Sequence, residues 1–193
     1  LGIVPKIHIP NYSEFYEARW FASGKDIRNR TIRLNEEEIP FGIDLLFEDR
    51  NNHATIATEI CEDLWVPNRP SIQASLNGAN IVVNPSASDE TIGKKNYRRN
   101  MVKQVFGEEY CLYLYTSSAM EESSTDLVFS GHQLIAYNGS LIKESIYPEE
   151  NRCLSAVIDL EKSNYNRIHQ STFINKEENL YRYIPTNIKP LGG

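Results

Sequence analysis

The chain has 193 residues, enough for one substantial hydrophobic core, so a single domain is the default expectation. Its composition, 40% hydrophobic, 24% charged and 10% aromatic, is that of an ordinary globular protein. Acids outnumber bases by 26 to 20, a net charge of -6, which argues against nucleic acid or an anionic membrane as the main partner.

Neither a membrane span nor a signal peptide is legible. The chain opens LGIVPK, without methionine and already at the edge of an apolar strand, so it reads as a fragment. The following NYSEFYEARWFASG reads as a loop with a short helical turn, ending at Gly24-Lys25-Asp26. Residues 39–47 (IPFGIDLLF) suit a strand, and the turn DRNNH joins them to a second strand over 53–60, giving a hairpin. Residues 70–77 have helical spacing with proline at the start, and Gly78 is a stop signal. A buried strand is expected at 80–83, closed by NPSAS, then an amphipathic helix at 95–109 and a strand at 110–116. Strand, helix, strand, helix, strand from 53 to 116 is the signature of parallel α/β layering. Residues 132–137 and 141–145 flank Asn138-Gly139, the strongest hairpin signal in the chain. Another strand is expected at 154–158 and a short helix at 159–168, and the polar tail from 172 reads as a linker.

Three cysteines, an odd number and widely spaced, form no CxxC or Cys/His ligand pattern, so no metal site is expected and a reducing, cytoplasmic setting fits best. Cys111 and Cys153 lie in apolar runs and read as core thiols. Cys61 is different. The stretch HATIATEI delivers it into an abrupt acidic turn, Cys61-Glu62-Asp63. A free cysteine most often fills core, but a thiol fixed at a strand end can face a cleft, as a nucleophile must. Lys6 follows the apolar GIVP in a stiff setting of Pro5, Ile7, Ile9 and Pro10. A lysine there is most often a solvated charge; held near a thiolate, it would lower the thiol pKa and neutralise an oxyanion. The basic cluster Lys94, Lys95, Arg98 and Arg99 reads as a solvated helix face. His132 reads as a satisfied structural residue, and Asp126 has no assignable role.

Four blocks, VPKIHIPNYSEFYEARWFASG, TEICEDLW, NPSAS with GKKNYRR, and TDLVFSGHQLIAYNG, are similar to successive blocks of the nitrilase (carbon–nitrogen hydrolase) superfamily. Within it they most resemble the glutaminase domain of glutamine-dependent NAD synthetase, over residues 2–168. The resemblance implies an α/β fold, a partial αββα sandwich with mixed sheets and a C-terminal hairpin. The glutaminase domain would occupy 1–171, and 172–193 would lead toward a synthetase domain. It implies a Glu–Lys–Cys triad acting through a thioester, with Cys61 as nucleophile and Lys6 as its electrostatic partner. The third member, a glutamate, belongs to an earlier block; Glu14, Glu17 and Glu62 match other positions, so the chain alone is expected to be inactive. Tyr12, Glu17, Glu62, Trp65 and Ser88 match positions lining a pocket for L-glutamine. For Ser88 a turn cap is an equal reading, and for Trp65 a wall of the core is the simpler one. No SGGxDS pyrophosphate loop occurs, and Gly192-Gly193 cannot be one. ATP and Mg are therefore expected only in the synthetase domain, with no cofactor in this chain. A homo-oligomer is expected from uncovered sheet edges. Two alternatives stand beside this reading: a free-standing nitrilase-like amidase and a non-catalytic assembly module.

Overall fold

Apolar and β-branched runs separated by turn signals condense into one mixed sheet in the computed structural model, which describes residues 1–147, 153–174 and 180–188. Two short strands come first, β1 (Thr31–Leu34) and β2 (Glu37–Pro40), and pair antiparallel as a separate ribbon. The remaining strands are β3 (Leu45–Asp49), β4 (Ala54–Thr58), β5 (Ile81–Ser86), β6 (Leu112–Ser117), β7 (Gln133–Tyr137), β8 (Ser140–Ser145) and β9 (Arg182–Pro185). Among the described residues these seven form one sheet in the order β8-β7-β6-β5-β4-β3-β9. β4, β5 and β6 run parallel, joined through α1 (Pro70–Leu76) and α2 (Lys94–Glu108), as the alternating pattern implies. The hairpins β3–β4 and β7–β8 flank this parallel centre. Asn138 and Gly139, with φ of 46° and 81°, make the turn of the second hairpin. α3 (Glu161–His169) follows later in the chain. Among the described residues no helix is long and apolar enough to cross a membrane.

Two apolar clusters hold the layers. On one face Ala57, Val82, Tyr113, Leu134 and Ala136 of the sheet meet Ala74 of α1 and Val102, Val105 and Phe106 of α2. The Phe106 and Tyr113 rings stack at 3.7 Å. On the other face Leu112, Ile135 and Tyr137 are covered by Leu154, Ala156, Ile158 and Leu160.

Several expectations are corrected. Residues 154–158 form no ladder strand; they run across the sheet face, and every second side chain packs down on it. The period of two is real, but it belongs to a strap and not to a ladder. The single strand expected at 39–47 is broken, because Pro40 lacks an amide donor and Gly42 takes φ +151°. Residues 1–4 contribute only an isolated bridge, Ile3 to Phe41. Within the tail read as a linker, β9 pairs in parallel with β3, and the Arg182 guanidinium grips both Asp44 carboxylate oxygens, at 2.9 and 2.7 Å. Residues 175–179 and 189–193, including Gly192-Gly193, lie outside the described residues. Cys111 is buried as expected, whereas Cys153 is exposed. Arg98, expected on a solvated face, is fully buried.

Gly107 of α2 and Gly139 of the β7–β8 turn touch backbone to backbone: a Cβ on Gly107 would lie 3.1 Å from the Gly139 Cα. Gly107→Ala should therefore lower the unfolding midpoint, although alanine in a helix interior is ordinarily worth about 0.5–1 kcal/mol over glycine. Overpacking of about 1–3 kcal/mol outweighs that gain. Thermal unfolding of both forms checks the sign.

Candidate active site

β4 and β5 end on the same edge of the sheet, where open α/β folds place their ligands. Beyond β4 the chain turns sharply through a 3-10 turn, Cys61–Leu64, and Cys61 adopts φ +50°. That left-handed conformation costs a non-glycine residue roughly 1–2 kcal/mol, so the surroundings must hold it. Two contacts do so. The Cys61 amide donates to Asn84 Oδ1 at 3.1 Å, and the buried Asp63 carboxylate accepts from the Ile60 amide at 2.9 Å.

Asp63 also reaches the N-terminal loop. It accepts from the His8 amide at 2.9 Å and from His8 Nδ1 at 2.8 Å, fixing the segment that carries Lys6 against the Cys61 turn. Lys6 is ion-paired to Glu17 at 2.7 Å, with about a fifth of its side chain exposed. That pairing gives the ammonium a direction, which a freely solvated lysine would lack.

Cys61 lines a cavity of about 140 Å³ together with Pro10, Tyr12, Phe15, Glu62, Trp65, Ser88, Asp89 and Lys94. Drug-sized sites are roughly 300–1,000 Å³, so this one has room only for a small molecule. Five of the seven residues singled out in the sequence, Cys61, Tyr12, Glu62, Trp65 and Ser88, thus share one cleft. Lys6 and Glu17 are not in its lining; they form their pair on the adjoining loop. The Tyr12 hydroxyl donates to Glu62 at 2.9 Å, and burial together with the Glu62 carboxylate holds its pKa well above the usual phenol value. Trp65 stacks on Tyr97 at 5.8 Å and has the Lys94 ammonium over its ring, so it is wall and cation platform at once. Lys94 is also paired with Asp89. Asp89 carries no sequence signal, and Lys94, read as part of a solvated helix face, faces the cleft instead; a basic cluster at a helix start looks the same in sequence in either setting.

Ser88 does not cap a turn. Its hydroxyl accepts from the buried Arg98 at 3.3 Å, and its amide donates to the Ser117 hydroxyl at 3.2 Å. Arg98 also contacts Glu90 and His132 Nδ1 and lies over the Tyr115 ring. Because His132 Nδ1 faces a guanidinium it must accept, which leaves Nε2–H to donate to Glu144 at 2.8 Å. Burial and the Arg98 charge lower the His132 pKa, so the ring is neutral, a structural residue as its sequence setting implies. Among the described residues no group of three or more His, Cys, Asp or Glu side chains is placed to hold a metal ion.

Two further acids are buried, Glu59 and Glu109. Tyr113 donates to Glu59 at 2.8 Å and Ser71 to Glu109 at 3.2 Å, while the second oxygen of each carboxyl has no hydrogen-bond partner. Burial pushes Glu59 up to about 7, and burial with the Glu59 charge pushes Glu109 up to about 8. The folded chain therefore holds protons that the unfolded chain has released above about pH 4.3. Stability from these groups is complete below that value and is lost as pH rises through about 7 and 8. The unfolding midpoint should fall by several degrees between about pH 5 and pH 8.5. Glu109→Gln, which cannot ionise, should flatten the profile, and a slope unchanged in that variant would show that other groups set it.

No family model matches the chain. It is 38% identical over 175 residues to the glutamine-dependent NAD(+) synthetase of Mycobacterium tuberculosis (strain ATCC 25618 / H37Rv), a match covering 90% of this chain and 26% of the relative. It is 30% identical over 172 residues to the Homo sapiens glutamine-dependent NAD(+) synthetase, covering 83% and 24%. The chain thus spans about a quarter of the length of the curated relatives it matches. The crystal structure of a glutamine-dependent NAD(+) synthetase from Cytophaga hutchinsonii superposes with a TM-score of 0.61 at 32% identity, over 74% of this chain and 22% of that one. A carbon–nitrogen hydrolase from Helicobacter pylori G27 gives 0.60 at 20% identity, over 86% and 54%, a likeness of fold alone. The mixed sheet agrees with both. Over 90% of its length the chain is homologous to glutamine-dependent NAD(+) synthetases, matching about a quarter of their length, and its fold is that of the carbon–nitrogen hydrolases.

Proposed function

We propose that this chain is the glutaminase part of a glutamine-dependent NAD synthetase. It would hydrolyse L-glutamine to glutamate and ammonia for a synthetase domain of the same protein that amidates deamido-NAD. The observation that carries the reading is the placement of Cys61, strained and fixed, in a small cleft walled by residues of both charge signs. Free glutamine presents an ammonium and a carboxylate together. Glu62 and Asp89 suit the first, and Lys94 and the Ser88 hydroxyl suit the second.

In this mechanism the Cys61 thiolate attacks the carbon of the side-chain amide. The carbonyl electron pair moves to oxygen, and the Lys6 ammonium stabilises the resulting oxyanion. Collapse expels the amide nitrogen, which takes up a proton and leaves as ammonia. Water then attacks the thioester, releases glutamate and returns the proton to sulfur. The family resemblance assigns the proton shuttle to a glutamate of an earlier block; of the acids here, Glu17 pairs with Lys6, Glu62 accepts from Tyr12, and Asp63 accepts from His8 and Ile60. ATP and Mg would act only in the synthetase domain. A homo-oligomer in the cytoplasm completes the proposal.

Two experiments on the full-length protein test it. Brief exposure to an electrophilic glutamine analogue should label Cys61 first, ahead of the buried Cys111, whose thiol burial pushes up to about 12, and ahead of the exposed Cys153. Peptide mapping that finds either of the others labelled first would overturn the assignment. Lys6→Ala should lower glutamine-dependent synthesis by about 10²–10³-fold while leaving synthesis from added ammonia within about two-fold. Equal loss of both would assign Lys6 to folding.

A further inference from the structure

The mechanism above makes no use of Glu59, although this buried acid lies two positions before the nucleophile. Its Oε1 is the shared acceptor of two donors, the Tyr113 hydroxyl at 2.8 Å and Asn84 Nδ2 at 3.5 Å. The second bond is long, but Asn84 is itself 1% exposed, so water does not compete for that amide. The other end of the same carboxamide faces the nucleophile: Asn84 Oδ1 accepts from the Cys61 amide at 3.1 Å and from the Ser86 hydroxyl at 2.7 Å.

A carboxamide has one accepting and one donating end. Turned over, Asn84 would point a donor at the Cys61 N–H and at the Ser86 hydroxyl, and an acceptor at the Glu59 oxygen. A purely accepting oxygen on Glu59 therefore selects the orientation of Asn84. That orientation holds the Cys61 peptide in its left-handed conformation. Released, Cys61 would relax to an ordinary backbone region and swing Sγ out of the cleft.

We propose that Glu59 is a positioning residue for the nucleophile, acting through Asn84 to fix the Cys61 backbone; the proposal rests on reading Cys61 as the nucleophile. Glu59 acts in either protonation state, since its proton, when present, sits on the unpartnered Oε2 and leaves Oε1 free to accept.

The test compares Glu59→Gln, Glu59→Met, Asn84→Ala and the Glu59→Met/Asn84→Ala double variant in the full-length protein. It reads kcat and KM for glutamine and, separately, the rate at which iodoacetamide alkylates Cys61. Gln supplies the same accepting oxygen and should stay within about three-fold of wild type. Met fills the volume without accepting and should lower kcat by about 10- to 100-fold, with KM within about two-fold and Cys61 alkylation slowed in parallel. Asn84→Ala should match it. The double variant should be no worse than the weaker single, because both remove one linkage. Wild-type kcat and alkylation in Glu59→Met, or additive losses in the double, would overturn the proposal and leave Glu59 a stability residue only. Should Glu59→Met fail to fold, Asn84→Ala decides alone, wild-type kcat and alkylation there being fatal. If the wild-type protein itself releases no glutamate from glutamine, the functional reading fails, and the alkylation rates still decide the positioning role.

Discussion

One carboxylate joins the two halves of the candidate site. Asp63 is 1% exposed and accepts three N–H donors, from the Ile60 amide, the His8 amide and the His8 ring. Two of those donors belong to a loop more than fifty residues earlier in the chain, the loop that carries Lys6. A carboxylate taken out of water must be fully hydrogen-bonded or it costs several kcal/mol. The loop therefore cannot leave the Cys61 turn without stranding Asp63, and the turn cannot open without stranding it too. Lys6 and Cys61 are held in register by a residue that need not touch either one.

A second buried charge does the same for the opposite wall. Arg98 is fully buried and reaches Ser88 of the cleft, Glu90, His132 and the Tyr115 ring from one planar guanidinium. A lysine could not span those directions, since its ammonium is a single point on a flexible stem. His132 passes the linkage to Glu144 on β8, where Arg99 closes it at 2.6 Å. The two anchors differ in cost. Asp63 draws on backbone amides that had to be satisfied anyway, whereas Arg98 must offset the loss of its own hydration with several simultaneous partners.

Much of the fold was legible because it follows from periodicity. The strands flanking α1 and α2, the DRNNH hairpin and the Asn138-Gly139 turn all sit where the apolar runs and turn residues put them. What was not legible depends on contacts distant in sequence. The β1–β2 ribbon is mostly exposed, and its turn uses Asn35 and Glu36 at φ 47° and 70°, where a Gly signal would have announced it. β9 is recognisable only once Arg182 meets Asp44, a partner 138 positions away. The strap at 154–160 has a strand's alternation, and nothing in it says whether a sheet edge or a sheet face receives it. At the site, the motif residues Cys61, Tyr12, Glu62, Trp65 and Ser88 converge as their blocks suggest, while Asn84 goes unremarked, Asp63 reads only as part of an acidic turn, and Arg98 reads as part of a solvated face. Buried polar residues in a sequence look like surface residues until their partners are known.

This division sets what the molecule tolerates. The layers are held by apolar clusters, which accept volume-conserving change at modest cost. The cleft is held by a few oriented polar groups, each with a donor or acceptor that a near-isosteric substitution would invert. Cys61 sits where the two regimes meet, its strand fixed by the core and its own peptide fixed by Asn84. Stability and reactivity of this chain should thus separate: changes in the core move the unfolding midpoint with the thiol still correctly placed. Changes among Glu59, Asn84, Asp63 and His8 should displace Cys61 or Lys6 while the sheet remains intact. The two buried acids, Glu59 and Glu109, lower stability as pH rises, a cost that an apolar residue at either position would remove. At Glu59 that gain would come at the expense of the orientation of Asn84, which is why the acid and the strained Cys61 belong to one arrangement.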